Sequence, residues 1–445
     1  MTMALSKVAS SNYYSQTALT TSVSVSVALA SLKANPSLKV RISDTTENIN
    51  RNLALLNGYA NSITSVTQTN ASTSITLTEA ELTQYSNLLS KFASSHRLNV
   101  TNVQSSNASA LAAKANVKTL NIVDTSAKVS SQLNNLKQSS VSDKISQILL
   151  TTPNNDLTLT ASQFQDSTSL LGKISGNYGL SISGATASQA VGYTNNDRIK
   201  SVAIQDTAAS ISANIDDLVG LGLRIKEIKG SDSNVFTVTA SQMQTDGLVI
   251  GRLYKGYQLS VVDASTDQAA LLSSNKKIVR VTVEDTAANL SKNMALLSKL
   301  GGSLTAVKVK DVANPLKLTS LQLNNYAGVI DKITTSNFKV GISQATATQA
   351  QMLMTDDRIS TVAVVDSADA ISAAIDGLQG NSKLTSIEIS GKSSLLNLSH
   401  SQLNDDADAI AKIKSNYALK ISGVPAANAN SIALSNSKIT SMSVT

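Results

Sequence analysis

Five Asp-Thr or Asp-Ser steps are the residues of this chain whose type and spacing invite chemistry: Asp44-Thr45, Asp124-Thr125, Asp206-Thr207, Asp285-Thr286 and Asp366-Ser367. A carboxylate beside a hydroxyl, recurring at intervals of 80, 82, 79 and 81 residues, could ligate a cation or cap a helix. Calcium gathers about six to eight oxygens from closely spaced acidic and carbonyl groups. Each step here offers one isolated carboxylate between an apolar run and a helical pattern. Capping is therefore the expected role, with Asp44, Asp124, Asp206, Asp285 and Asp366 as N-caps accepting from the free N–H groups of the first turn.

Other routes to chemistry are thinly supplied. The chain has no Cys, which excludes disulfides, thiolate metal sites and thiol nucleophiles together. His96 and His400 fall at different places in their copies, and neither has a repeated partner that would hold it as a base beside a Ser or Thr. No Gly-rich phosphate loop is present. Asp216-Asp217, Asp356-Asp357 and Asp405-Asp406 read as solvated faces. No catalytic, cofactor or metal residues are expected.

Charge offers a sharper lead, since 37 basic and 30 acidic residues leave a net +7. Basic residues gather around the strand that opens each copy, at Lys39, Arg41, Lys118, Arg198, Lys200, Lys276, Lys277, Arg280, Arg358 and Lys438. Stacked copies would align them in a row, with Arg198, Lys200, Lys276, Lys277, Arg280, Arg358 and Lys438 as candidate contacts for an anionic envelope polymer such as lipopolysaccharide. A second series, Lys91, Lys173, Arg252, Lys332 and Lys412, lies where a helix ends and a cation complements the dipole. Nucleic acid is not expected, because aromatic stacking platforms are missing.

The elements that must position these groups follow from laying the copies together. SVAIQDTAASISANIDDL from Ser201, RVTVEDTAANLSKNMALL from Arg280 and TVAVVDSADAISAAIDGL from Thr361 each alternate apolar residues up to the Asp and then change to a helical period. The second part, for instance LTAVKVKDVANPLKLTSLQL from Leu304, reads as a strand pair around a polar turn, then a helix. Capping boxes open that helix at Thr78, Thr160, Thr239, Thr319 and Ser399. The third part, such as YQLSVVDASTDQA from Tyr257, reads as a strand and a short helix, with further boxes at Thr186, Ser265 and Thr346.

One copy is thus β-α-β-β-α-β-α, and the fold expected is α/β: tandem repeats of about 80 residues forming an elongated, solenoid-like mixed or parallel sheet with flanking helices of about 10 to 15 residues. The sheet is read as continuous; five small domains, each with its own sheet, are the alternative. The boundaries are 1–40 for a loose N-terminal tail and partial leading unit, then copies at 41–120, 121–202, 203–281, 282–362 and 363–445, the last ending on an open strand.

With 42% hydrophobic residues and no Trp the core must be aliphatic. No window is apolar enough to span a bilayer. The run from Ser22, SVSVSVALASL, alternates with Ser and reads as a strand that aligns with the third part of a copy, so export would need a route without an N-terminal leader.

The DTAANL, LTLTASQ and YxLxISGxTAxQA elements resemble the repeats of large bacterial extracellular proteins, including surface-layer-like proteins exported by type I secretion. That resemblance implies a structural protein at the cell surface that assembles with copies of itself into a layer or filament. The competing class is a monomeric adhesin or envelope-polysaccharide binding module. Members of such families often carry Gly-Gly-x-Gly-x-Asp calcium repeats, and this chain has none, so calcium has no supporting motif.

Overall fold

The computed structural model describes residues 18–152 and 155–445. The tail reading for residues 1–17 lies outside them. The chain forms two bodies, Met1–Asp206 with Gly220–Lys229, and Thr207–Val219 with Gly230–Thr445.

The first body holds three sheets. Ala18–Val23, Lys39–Asp44 and Ile63–Gln68 form one; Ile75–Thr78, Leu98–Val103, Val117–Asp124, Ile145–Leu150 and Ile174–Ser175 form the next; Leu157–Thr160, Leu180–Ala185, Ile199–Asp206 and Ile225–Gly230 form the third. In the second body the sheets are Val235–Thr239, Gln258–Ala264, Ile278–Asp285 and Leu304–Val309; then Leu316–Thr319, Val340–Ala345, Ile359–Ser367 and Leu384–Ser390; then Leu395–Ser399, Ala418–Val424 and Ile439–Val444. The strand ladders described are parallel. Helices join the neighbours, as parallel pairing requires.

Four expectations change. The sheet is not continuous, and the pair around the polar turn is not a pair: Leu304–Val309 bonds to Ile278–Asp285, whereas Leu316–Thr319 bonds to Val340–Ala345. The reason lies in the turn, where Asp311 spends its carboxylate on the N–H of Ala287 at 2.6 Å and so carries the chain round a corner, not into a hairpin. The helices are also shorter than expected, because the middle one breaks at Tyr85, Ser167, Asp246, Tyr326 and Asp406, which have φ from −98° to −115° and positive ψ. The run after Ser24 corrects likewise: Val25–Ala34 is a helix capped by Ser24, burying Val25, Ala28, Ser31 and Leu32 at helical spacing.

Strand Ile278–Asp285 buries Val281 and Val283, and the following helix Ala287–Ser298 buries Leu290, Met294 and Leu297. A bulge recurs in the third part of each copy. Asn102, Gly184, Asp263, Gln344 and Gly423 all have φ between 53° and 70°, and the pairing register shifts there. The extra residue lets Val261 and Ala264, three apart, both turn inward.

Candidate functional site

The five recurring Asp residues sit one position before the N-cap. The caps are Thr45, Thr125, Thr207, Thr286 and Ser367, each accepting from the N–H three residues on. What the Asp does is reach back across the sheet. One oxygen accepts from the first helical N–H of the preceding short helix, at Val25, Ser105, Ala187, Thr266 and Ala347, 2.8 to 3.0 Å away. At Asp44, Asp124, Asp285 and Asp366 the other oxygen accepts from the N–H of the residue after the Asp. Each Asp therefore ties the end of one strand to the start of the helix before it.

A second tie completes the pattern. The first N–H of the long helix is met from the next loop by Asn70, Thr152, Asp232 or Asp311, at Thr46, Ser126, Ala208 and Ala287. These contacts span 24 to 26 residues, so no local motif announces them. Burial alone would raise the carboxyls of Asp44, Asp124 and Asp285, but the hydrogen bonds they accept hold all three below the ordinary carboxylate value.

All five expected boxes, at Thr78, Thr160, Thr239, Thr319 and Ser399, carry the reciprocal bonds, with Glu81 or a Gln reaching back to the cap N–H. At Thr239 the helix proper starts only at Gln242.

The cations of the row are largely occupied within the chain. Arg198 lies over the Tyr178 ring at 4.3 Å, Lys277 over Tyr257 at 3.9 Å and Lys438 over Tyr417 at 3.5 Å. An Asx turn places each one, since Asn196, Asn275 and Asn436 accept from the backbone N–H two residues on. Arg358 uses the same turn and pairs with Asp356 at 2.8 Å. Lys200, Lys39 and Lys118 donate to nearby carbonyls. Lys276 and Arg280 are exposed and make no ion pair among the described residues.

The second series, Lys91, Lys173, Arg252, Lys332 and Lys412, lies one or two residues beyond the ends of short helices, none of which has a basic residue in its last turn. Lys173 donates to the carbonyls of Ser142 and Ile145 at 2.6 and 2.7 Å, and the backbone carbonyls of Lys91, Lys332 and Lys412 accept from the neighbouring strand. Sequence reasoning missed a third set: Lys144, Arg224 and Lys383 reach back to the carbonyls of Ala112, Thr194 and Asp356 at the preceding helix ends. His96 lies between the Ala93 carbonyl and the Asn116 amide; His400 lies near Asn404. No three His, Asp or Glu side chains gather as a metal-holding group among the described residues. No helix among them is long and apolar enough to cross a membrane.

One acidic doublet needs a correction. Asp406 is 4% exposed and faces Asp376, and Asp246, 6% exposed, faces Asp216. Asp406 is thus buried and not part of a solvated face, whereas Asp216, Asp217 and Asp405 are exposed as expected; the pairing of a buried with an exposed carboxyl recurs at matching positions.

No known protein family matches this sequence, and no curated protein matches it.

Proposed function

We propose that this chain is a structural extracellular protein, of the surface-layer-like class its repeats resemble, that assembles with its own copies into a layer or filament at a bacterial surface. The observation that carries the reading is the recurring carboxylate tie, from Asp44 to Val25 through Asp366 to Ala347. Polar groups that could do chemistry are spent on fastening each strand to the helix before it, which is the economy of a scaffold built by stacking similar units. A surface that docks one unit on the next inside a chain is also suited to docking one chain on another. Such head-to-tail contacts are heterologous and give open assemblies.

Exposed apolar side chains are the groups that such contacts would bury, Leu434 at 80% and Val444 at 52% exposure among them. Electron microscopy of the purified protein tests the reading, with ordered sheets or fibres expected. Leu434→Glu with Val444→Glu removes the exposed apolar groups without touching the core and should abolish them. Discrete monomers of the unaltered protein at high concentration overturn assembly.

The monomeric binding module keeps one specific support, the exposed cations Lys276 and Arg280 beside the Lys277–Tyr257 stack. An anionic envelope polysaccharide is the ligand class that such a surface would take.

A further inference from the structure

Two copies carry a device that the others lack. In the second body, Asp246 and Asp406 each sit at the break in the middle helix, buried, with an Oδ2 that has no hydrogen-bond partner other than a facing carboxyl. The facing groups are Asp216 and Asp376, whose Oδ1 atoms each accept from the capping-box amides Gln242 Nε2 and Gln402 Nε2, both at 3.0 Å. The same amide side chains hold the N–H of Thr239 and Ser399. Each pair thus bolts the kinked helix of one passage to the helical turn of the passage before it.

The other copies supply an internal control. At the corresponding two positions they hold Ala54 with Tyr85, Asn134 with Ser167, and Ala295 with Tyr326. A large ring is matched by a methyl, and an amide by a hydroxyl. The two positions change together, so a carboxyl at both is a matched pair and not a chance acidic doublet.

We propose that these pairs, Asp246 with Asp216 and Asp406 with Asp376, are proton-held latches that make the second body of the protein loosen as the surroundings turn from mildly acidic to alkaline. In the closed latch Asp406, as a neutral acid, donates its O–H to the Asp376 carboxylate. Loss of that one proton to water leaves a buried Asp406 anion facing the exposed Asp376 carboxylate, with only the Gln amide on Asp376 to offset the repulsion.

The surrounding groups point the same way. Helix Ile375–Leu378 contributes Asp376; helix His400–Asp405 contributes Gln402 and Asp405, whose negative charge adds to that of Asp376; helix Ala407–Ala411 contributes Asp408, engaged by Gln379 at 3.4 Å. Around Asp246 stand Asp216, Gln242 and Thr245. Burial first, then the facing Asp376, push the Asp406 carboxyl up to about 6, and the same causes raise Asp246. The bonds from Asp406 and Gln402 lower Asp376, as those from Asp246 and Gln242 lower Asp216. A raised group lends stability that is complete below its unfolded value and is lost as pH rises through its folded one. A lowered group does the reverse, so the latch is closed while the pair holds a single proton.

The test is thermal melting of the full chain from about pH 5 to about pH 8, for the unaltered protein and for Asp246→Asn with Asp406→Asn. The amide donates whatever the pH, so the melting temperature of the Asn protein should stay level across a window in which that of the unaltered protein falls. At the alkaline end the Asn protein should melt higher. Should it fail to fold, Asp216→Ala with Asp376→Ala, a side chain that the first and fourth copies already hold at this position, should shrink the same slope. Potentiometric titration of the two folded proteins gives an independent reading: the unaltered protein should take up more protons than the Asn protein, the excess including a step with a midpoint of about 6 from Asp406. Equal pH slopes, or superimposable titration curves, overturn the proposal.

Discussion

The Asp285 carboxylate accepts from both the backbone N–H and the hydroxyl of Thr266, each at 2.9 Å and 19 residues earlier in the chain. Its other oxygen accepts from Thr286 N–H and from Asn289. One buried side chain therefore joins two helix starts. Charge-assisted bonds of this kind are each worth about 1.5 to 3 kcal/mol. Asp285→Ala should lower unfolding stability by about 2 to 4 kcal/mol, more than Thr286→Ala at about 1 kcal/mol. Urea denaturation of the two variants checks the order; equal losses would return Asp285 to the role of an ordinary cap.

Acid should find the same residues. Asp44, Asp124 and Asp285 have folded values below the ordinary one, so they contribute stability above about pH 4 that is lost as pH falls through their folded values. The triple Asn variant should lose stability at neutral pH and show a flatter acid limb below about pH 4. A limb as steep as that of the unaltered protein would assign acid unfolding to other carboxyls.

The expected boxes give a graded prediction. Thr160→Ala, Thr239→Ala and Thr319→Ala should each lower stability by about 1 kcal/mol. Their sites share no partners, so the losses should add when the changes are combined. Denaturant midpoints check both points.

These boxes are legible in the sequence because a box is closed within four residues, so Thr319 and Gln322 announce themselves side by side. The parallel α/β class was legible for the same reason, since the change of period at Asp285 is local. The tie from Asp285 to Thr266 was not, because its partner lies across the sheet; only the recurrence of the Asp marked it as constrained, and the nearest local explanation, an N-cap, was one residue out. The Asp216–Asp246 pair stayed hidden because two of five copies carry it, and because Asp216 does lie with Asp217 on an exposed acidic face, only its distant partner Asp246 being buried.

The recurring bulge makes a conformational prediction of opposite signs. Gly184 has φ 65°, and a Cβ there would meet nothing within 4 Å, so Gly184→Ala should cost about 1 kcal/mol from the left-handed backbone alone. Gln344 holds φ 57° with a side chain. Gln344→Gly should relieve strain of similar size, offset in part by the added freedom of the unfolded chain. If both changes destabilise equally, side-chain contacts and not φ govern the bulge.

The cation row separates into two kinds of residue, and attachment to polyanion should follow the division. Lys277 is held over Tyr257 at 3.9 Å, a contact worth about 0.5 to 1 kcal/mol at an exposed site, so Lys277→Gln should lower stability by that amount. Lys276 and Arg280 are exposed, with no ion pair among the described residues, so Lys276→Gln with Arg280→Gln should leave stability nearly unchanged. If the row docks an anionic polysaccharide, that second variant should bind lipopolysaccharide more weakly at low salt. The difference should shrink as salt rises, because screening at about 10 Å in 0.1 M salt removes the attraction between exposed charges first. Attachment that is independent of salt and equal in both variants would confine these cations to solubility and to holding the Tyr rings.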